Sequence, residues 1–161
     1  MDAELAALSL AIGQAAMTRI ATIATAESCT GGWAAQVITH TAGSSAWFDR
    51  GFVTYSNAAK NDMLGVQEQT LVAHGAVSEA AAREMALGAL TYSAASHALA
   101  ITGIAGPAGG SAGKPVGTIC FSWCQRGGDA FTETRRFQGD REVVRRQAVI
   151  HALNGLLIRL V

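Results

Sequence analysis

Nucleophilic side chains are concentrated in the segment Thr25–Gly32, whose sequence is TAESCTGG. A short β-branched stretch precedes this segment and an apolar stretch with helical spacing follows it, which predicts a turn from a strand into a helix. Open α/β sheets bind their ligands at such turns. Ser28 is the first candidate nucleophile, and Cys29 is the alternative, although the sequence places no histidine to activate its thiol. Without chemistry, the serine and threonine of this turn would only cap the helix.

The same turn offers main-chain amides to an anion. We expect a helix to begin near Thr30, so that the amides of Thr30, Gly31 and Gly32 stay free of helical hydrogen bonds. Such amides favour a bound anion, or the oxyanion that develops when a carbonyl carbon is attacked. The segment matches neither a P-loop nor a G-x-S-x-G turn, so the pattern alone leaves capping and catalysis both open.

A lysine follows the second predicted strand, in the segment YSNAAK from Tyr55 to Lys60. The chain has two lysines and ten arginines, so its composition disfavours a lysine at this position. A guanidinium keeps its proton, whereas a buried lysine can lose its proton and act as a general base. Ser, Tyr and Lys side chains together can activate a hydroxyl, although a lysine on a short surface helix is the simpler interpretation.

Two further regions are candidates for binding a substrate. The segment Thr102–Lys114 contains five glycines and follows a buried strand, so it should face the same edge of the sheet as Ser28. Its glycines would let amides approach a phosphate or a sugar, or would form a flexible connector. Arg141 and Arg145 lie four residues apart and share a face of the last predicted helix. They would hold a phosphate or, alternatively, form a solvated helix start with neighbouring acids.

The elements that position these residues follow from the spacing of apolar side chains. The predicted helices cover residues 2–18, 30–39, 56–65, 68–74, 80–92 and 140–161, and the predicted strands cover 20–26, 47–55, 98–102, 116–124 and 130–137. Residues 98–102 are uninterruptedly apolar, which indicates a buried central strand. Strands that alternate with helices, plus one hairpin, predict an α/β fold. We expect a single three-layer α/β/α domain over residues 1–161, with a mixed, mostly parallel sheet of about five strands.

Composition and charge argue against several classes of protein, among them nucleic-acid-binding and membrane-spanning proteins. A chain of 161 residues that is 50% hydrophobic and 15% charged is expected to fold as a globular domain. Twelve basic and twelve acidic residues give zero formal net charge, which argues against a general nucleic-acid-binding protein. No apolar stretch approaches the ~20 residues that cross a bilayer. Three cysteines and no signal peptide predict a cytoplasmic location. No His or Cys pair has metal-ligand spacing, so we expect no metal and no cofactor.

Five segments, in this order, resemble the CinA C-terminal domain family and its stand-alone amidases. The segments are 25–32 (TAESCTGG), 43–57 (GSSAWFDRGFVTYSN), 75–79 (GAVSE), 102–110 (TGIAGPAGG) and 114–118 (KPVGT). The resemblance extends from the first helix into the last one. It implies hydrolysis of the carboxamide of nicotinamide mononucleotide to nicotinate mononucleotide and ammonia. It also implies that the family's catalytic residues fall on Ser28, Tyr55 and Lys60.

The resemblance and the residue pattern agree on a mechanism. Ser28 would attack the amide carbon while neutral Lys60 accepts its proton, either directly or through Tyr55. Amides of the turn would stabilise the oxyanion, ammonia would leave, and water would hydrolyse the resulting ester. The candidate substrate-binding residues are Glu27, Thr30, Gly31, Gly32, Ser44, Thr102, Gly103, Ile104, Ala105, Gly106, Arg141 and Arg145.

Two other functions are compatible with these residues. One is a serine amidase that acts on another small nucleotide-like amide, and the other is a nucleotide-binding regulatory module without turnover. We expect nicotinamide mononucleotide as the partner, with no nucleic acid and no membrane. We also expect a homo-oligomer, with a dimer as the first form to test. A regulatory module would be stabilised by the nucleotide without releasing ammonia.

Overall fold

Five strands form one mixed sheet at the centre of the protein, described over residues 1–161 by a computed structural model. The strands are β1 (Ile23–Glu27), β2 (Phe48–Val53), β3 (His97–Gly103), β4 (Thr118–Gln125) and β5 (Phe131–Arg136). Their spatial order is β2-β1-β3-β4-β5. β1 pairs in parallel with β2 and β3, whereas β4 is antiparallel to both of its neighbours. Four strands therefore point the same way, and β3 is the central strand, as its apolar sequence predicts.

Helices cover both faces of the sheet. They are α1 (Ala3–Arg19), α2 (Trp33–Ile38), α3 (Asn57–Leu64), α4 (Glu68–His74), α5 (Glu79–Thr91) and α6 (Arg141–Leu160). One hydrophobic core joins the sheet to α1, α2 and α6, and a second core joins it to α3 and α5. The protein is thus the three-layer α/β/α domain that the sequence predicts.

The central strands divide their side chains between the two cores by alternation. On β3, Leu99 and Ile101 belong to the core under α1 and α6, whereas Ala98 and Ala100 belong to the core under α5. The small alanines let α5 pack closely on the sheet, where it contacts β1, β3 and β4. The strand ends that carry the candidate functional residues are therefore held from both sides.

Two predicted element starts are wrong by three residues, for reasons of backbone conformation. The first strand begins at Ile23 rather than Ile20, because Ile20 ends α1 with φ 53° and ψ 40° in the left-handed region. The second helix begins at Trp33 rather than near Thr30. Gly31 and Gly32 precede it with φ values of 59° and 96°, which are incompatible with a right-handed helix.

The carboxyl ends of β1, β2 and β3 lie at one edge of the sheet, since the three strands are parallel. Ser28 follows β1, Tyr55 comes two residues after β2, and the glycine-rich segment that begins at Thr102 continues from β3. This edge therefore gathers three of the four candidate regions. None of the helices combines the length and the apolar character needed to span a membrane.

Candidate active site

Ser28 stands directly after β1, at the end of a strand that is buried along its whole length. Its amide donates a hydrogen bond of 2.9 Å to the carbonyl oxygen of Ile101 on β3, so the parallel ladder continues as far as the serine. Ser28 is partly exposed, whereas the five residues before it are buried. A rigid strand end thus presents the hydroxyl to the edge of the sheet.

Lys60 reaches this hydroxyl from α3. Its Nζ lies 2.9 Å from the Oγ of Ser28 and donates a hydrogen bond of 2.8 Å to the carbonyl oxygen of Thr54. The side chain of Ser56 caps α3 by accepting a hydrogen bond from the amide of Ala59, which fixes the start of the helix one turn before the lysine. The helix α3 therefore directs the side chain of Lys60 towards the end of β2, next to Ser28.

The surroundings of Lys60 favour its neutral form. The residue is 2% exposed and forms no ion pair with a carboxylate. Burial disfavours a charged ammonium, so desolvation lowers the pKa of Lys60 from its ordinary value. A neutral Nζ has a lone pair that can accept the proton of the neighbouring serine. The pair Ser28–Lys60 is therefore a hydroxyl in contact with an amine that can act as a base.

Cys29 is the other candidate nucleophile, but burial favours the unreactive, protonated form of its thiol. Its side chain is buried, and desolvation raises the pKa of the thiol to about 12. The reactive form of cysteine is the thiolate, which is scarce at neutral pH when the pKa is this high. The thiol of Cys29 therefore stays protonated at neutral pH, which leaves the hydroxyl of Ser28 as the candidate nucleophile of the turn.

Glu27 fixes the turn from inside. The carboxylate is fully buried and accepts hydrogen bonds from the hydroxyl of Thr30 at 2.7 Å and from the amides of Ala34 and Ala35 at 2.8 and 3.0 Å. These bonds satisfy donors in the first turn of α2, where a negative charge is favourable. The side chains of Glu27 and Thr30, two residues that the sequence suggested as substrate contacts, hold each other and the start of the helix, and both are fully buried.

Three amides of the turn have no acceptor in the protein. The amides of Cys29, Thr30 and Gly32 donate to no main-chain or side-chain group, whereas Gly31 donates to the carbonyl oxygen of Ser28 at 3.0 Å. Two of the three amides that the sequence singled out are therefore free. The turn thus contains unpaired donors in the residues that follow Ser28, and such donors can stabilise an oxyanion.

Tyr55 lies at the rim of the site rather than between Ser28 and Lys60. Its side chain is 61% exposed, and its hydroxyl accepts a hydrogen bond of 2.7 Å from Arg141. Lys60 already contacts Ser28 directly, so a relay through Tyr55 is unnecessary. Arg141 also donates to the carbonyl oxygen of Gly106 at 2.8 Å. This arginine therefore ties the end of β2 to the glycine-rich loop.

Arg145 binds the turn that follows Ser28, residues 29–32. Its Nε donates to the carbonyl oxygen of Cys29 at 3.0 Å, and one terminal nitrogen donates to that of Thr30 at 3.2 Å. The guanidinium lies 5.6 Å from the centroid of the Trp33 ring. Unlike Arg146, the next residue on the helix, Arg145 forms no ion pair.

The start of the glycine-rich loop is bound to the sheet. Ile104 exchanges main-chain hydrogen bonds with Thr118 and Gly117, and the hydroxyl of Thr102 donates to the carbonyl oxygen of Ala76. A side chain at Gly103 would collide with β4, and Ala105 is buried. Of the five residues predicted here as substrate contacts, Gly106 is the one that Arg141 contacts.

Ser44 is a predicted contact that the structure does not bring to the site. It begins a 3₁₀ turn, Ser44–Ala46, that leads into the start of β2. The carbonyl oxygen of Trp47 accepts a hydrogen bond from the amide of Ile23, at the beginning of β1. Ser44 thus lies at the opposite edge of the sheet from Ser28, because parallel strands begin and end at opposite edges.

Two contributors to the site were missed at the level of sequence. The carbonyl oxygen of Thr54 anchors Lys60, and the ring of Trp33 lies beneath Arg145. A carbonyl oxygen is present in every residue, so residue types carry no signal for the first. The position of Trp33 at the start of a helix was visible, but its neighbour comes from the last helix, more than a hundred residues later.

The model of the CinA C-terminal domain family matches residues 5–160 of the chain. The chain belongs to this family. The resemblance predicted from the five motifs is therefore confirmed. The match begins within α1 and ends at the last residue of α6, so it covers the whole sheet and the edge that carries Ser28.

Relatives of similar length are amidohydrolases by name. The nicotinamide-nucleotide amidohydrolase PncC of Escherichia coli K12 is 58% identical over 155 residues, which cover 96% of this chain and 94% of the relative. The PncC of Pseudomonas putida is 54% identical over 137 residues, or 85% of each chain. The crystal structure of the competence/damage inducible protein CihA from Agrobacterium tumefaciens superposes with a TM-score of 0.95 at 45% identity. It covers 99% of this chain and 97% of that one.

Proposed function

We propose that the protein is a nicotinamide-nucleotide amidohydrolase, which converts nicotinamide mononucleotide and water into nicotinate mononucleotide and ammonia. The observation that carries the proposal is the 2.9 Å contact between Nζ of Lys60 and Oγ of Ser28. That contact joins a nucleophile to a base beside unpaired amides. The choice of substrate is supported by the two PncC amidohydrolases, which are 58% and 54% identical to this chain.

The first step is the attack of Ser28 on the carboxamide. The Oγ of Ser28 forms a bond to the carbonyl carbon, and its proton moves to the neutral Nζ of Lys60. The π electrons of the carbonyl move to its oxygen, which becomes an oxyanion. The positively charged pyridinium ring withdraws electrons from the carbonyl carbon, so the substrate itself favours the attack.

The second step releases ammonia and leaves an ester. As the bond between carbon and nitrogen breaks, Lys60 returns its proton to the departing nitrogen. Nicotinate mononucleotide is then esterified to Ser28. Water attacks this ester while Lys60 accepts the proton of the water, and the oxygen of Ser28 recovers that proton as it leaves. Lys60 therefore acts alternately as base and as acid, and both partners end in their starting forms.

In this scheme the oxyanion is bound by an unpaired amide of the turn, that of Cys29 or Gly32, because Thr30 is fully buried. The amides of Cys29, Thr30 and Gly32 are free of protein acceptors, while the amide of Ser28 is occupied by Ile101. Donors that are already oriented need no reorganisation when the charge develops, and this is the source of their effect on the rate.

We assign the phosphate of the substrate to Arg141. This arginine is exposed, and its two partners, a phenol and a carbonyl oxygen, are neutral. Its positive charge is therefore available to an anion, and a guanidinium matches a phosphate with two parallel hydrogen bonds. A phosphate bound there would lie between the end of β2 and the glycine-rich loop.

Ammonia release tests the proposal directly. The protein is assayed in EDTA with nicotinamide mononucleotide, with its dephosphorylated nucleoside and with nicotinamide. We expect ammonia and nicotinate mononucleotide in equal amounts from the nucleotide, and a much lower kcat/KM with the two smaller amides. Stabilisation by the nucleotide without ammonia would identify a binding module, and a preference for another amide would identify a different amidase.

We further propose that the protein is cytoplasmic and needs no nucleic acid and no membrane, and that it forms a homo-oligomer, with a dimer as the first form to test. The neutral overall charge and the free cysteines Cys29, Cys120 and Cys124 support this setting. Light scattering after size-exclusion chromatography measures the oligomeric state, and fractionation of the source cells measures the location.

A further inference from the structure

Arg145 donates its hydrogen bonds to main-chain carbonyl oxygens of the turn that follows Ser28. Its Nε and one terminal nitrogen donate to the carbonyl oxygens of Cys29 and Thr30, at 3.0 and 3.2 Å. The flat guanidinium also packs over Trp33, which restricts its orientation. No carboxylate competes for it. Arg145 is thus a side chain whose partners all belong to residues 29–33.

These contacts fix the orientation of the Cys29–Thr30 peptide, because a peptide unit is planar. In a planar trans peptide, the C=O and N–H groups point in opposite directions. The carbonyl of Cys29 and the amide of Thr30 belong to one peptide unit. When Arg145 draws that carbonyl towards α6, the amide of Thr30 points away from α6, and it donates to no group in the protein.

Two neighbouring residues, Gly31 and Glu27, complete the surroundings of this peptide. Gly31 has φ 59°, and a side chain there would lie 3.5 Å from the terminal nitrogen of Arg145. Glu27 holds the hydroxyl of Thr30 and the first amides of α2. Glu27 and Arg145 therefore hold the turn together, Glu27 through its donors and Arg145 through its acceptors.

We propose that Arg145 is a positioning residue, which fixes the Cys29–Thr30 peptide and thereby holds the hydroxyl of Ser28 against Lys60. This inference rests on the proposed acyl transfer to Ser28. It assigns Arg145 a different role from Arg141, although both arginines share a helix face and both were suggested by sequence as phosphate ligands. Arg145 acts on the rate of the chemical step, and Arg141 acts on binding.

The test separates kcat from affinity in Arg145→Gln and Arg145→Lys. Turnover is measured in the otherwise unchanged protein, and the Kd for nicotinamide mononucleotide is measured in a Ser28→Ala background, where no turnover obscures it. We expect Arg145→Gln to lower kcat about 100-fold, the typical loss when a reacting group is displaced by about 1 Å, with a Kd within about twofold. Arg145→Lys keeps one hydrogen bond and the charge, so it should recover part of kcat.

Arg146→Gln is the matched control. Arg146 follows Arg145 on the same helix but bonds to the surface acids Asp2 and Glu4. Its loss should leave kcat unchanged, and the thermal stability of all variants is compared so that a fold defect in Arg145→Gln is recognised. Should that variant fail to fold, Arg145→Lys alone decides: a lower kcat at unchanged Kd supports the inference, and an unchanged kcat refutes it.

Several results would overturn the inference. A Kd that weakens about tenfold at unchanged kcat would make Arg145 a phosphate ligand. Unchanged kcat and Kd would make it a solvated residue of the helix start. A wild-type protein that releases no ammonia would refute the proposed function, and this inference with it, whereas an active wild type with an unaffected Arg145→Gln refutes the inference alone.

Discussion

The two walls of the site carry positive charge in different ways. On the wall formed by α3, Lys60 is buried without an anion and touches the hydroxyl of Ser28. On the wall formed by α6, Arg141 and Arg145 donate to main-chain and phenolic oxygens. A lysine in the first setting can lose its proton, whereas the guanidinium groups in the second stay charged. The α3 wall is therefore suited to moving protons, and the α6 wall to fixing shape and binding an anion.

Removing the hydroxyl of Ser28 should lower the activity more than any change on the α6 wall. In Ser28→Ala the α3 wall keeps its base but has no hydroxyl to activate. We expect kcat to fall by several orders of magnitude, about 10³-fold or more, while the Kd for the nucleotide measured by calorimetry stays within a few-fold. A Ser28→Ala protein that retained a tenth of the activity would move the nucleophile elsewhere.

The pH dependence of the wild-type enzyme should follow the titration of Lys60. Desolvation lowers the pKa of this lysine from its ordinary 10.5. Below that lowered pKa Nζ is protonated and cannot accept the proton of Ser28, so kcat/KM should rise about tenfold per pH unit and then level off below pH 10.5. Rates between pH 5 and 10 measure the midpoint. An activity that decreases over this range would show that the protonated lysine is the active form.

On the α6 wall, Arg141→Ala should weaken substrate binding and leave the chemical step nearly unchanged. The change removes an exposed charge that we assign to the phosphate, so KM for nicotinamide mononucleotide should rise about tenfold while kcat changes about twofold at most. Arg135→Ala is the matched control, because Arg135 is an exposed arginine that pairs with Glu133 on β5. Equal KM values for the two variants would remove Arg141 from the binding site.

Cys29→Ala should have the smallest effect. The thiol is buried with a pKa of about 12, so its removal takes away no reactive group. We expect kcat/KM to stay within about twofold and the melting temperature to fall by a few degrees, as for the loss of one small buried group. An inactive Cys29→Ala beside an active Ser28→Ala would transfer the nucleophile to the cysteine.

Residue types at the ends of strands were enough to single out Ser28 and Lys60, which the structure brings into contact. The β-branched stretch before TAESCTGG placed Ser28 after β1, and the rarity of lysine drew attention to Lys60. These signals are local, because they depend on spacing within about ten residues. The same local patterns also predicted every helix and strand, with shifts of a few residues at their ends.

Contacts between distant segments account for what the sequence did not predict. Glu27 was suggested as a substrate contact but binds amides seven and eight residues ahead, across a turn formed by two left-handed glycines. Ser44 lies within a matching motif, yet the direction of β2 carries it to the opposite edge. The partners of Arg145 are carbonyl oxygens more than a hundred residues away, which no pattern of side chains reveals.

The turnover of Lys60→Arg tests the central claim most directly, namely that Lys60 is the base for Ser28. Arginine keeps the positive charge on the α3 wall but does not release its proton. We expect kcat to fall about as far as in Lys60→Ala, by about 10³-fold or more, with bound nucleotide still raising the melting temperature. A Lys60→Arg enzyme that retained most of the wild-type kcat would show that the charge alone suffices, and it would contradict the assignment of Lys60 as the base.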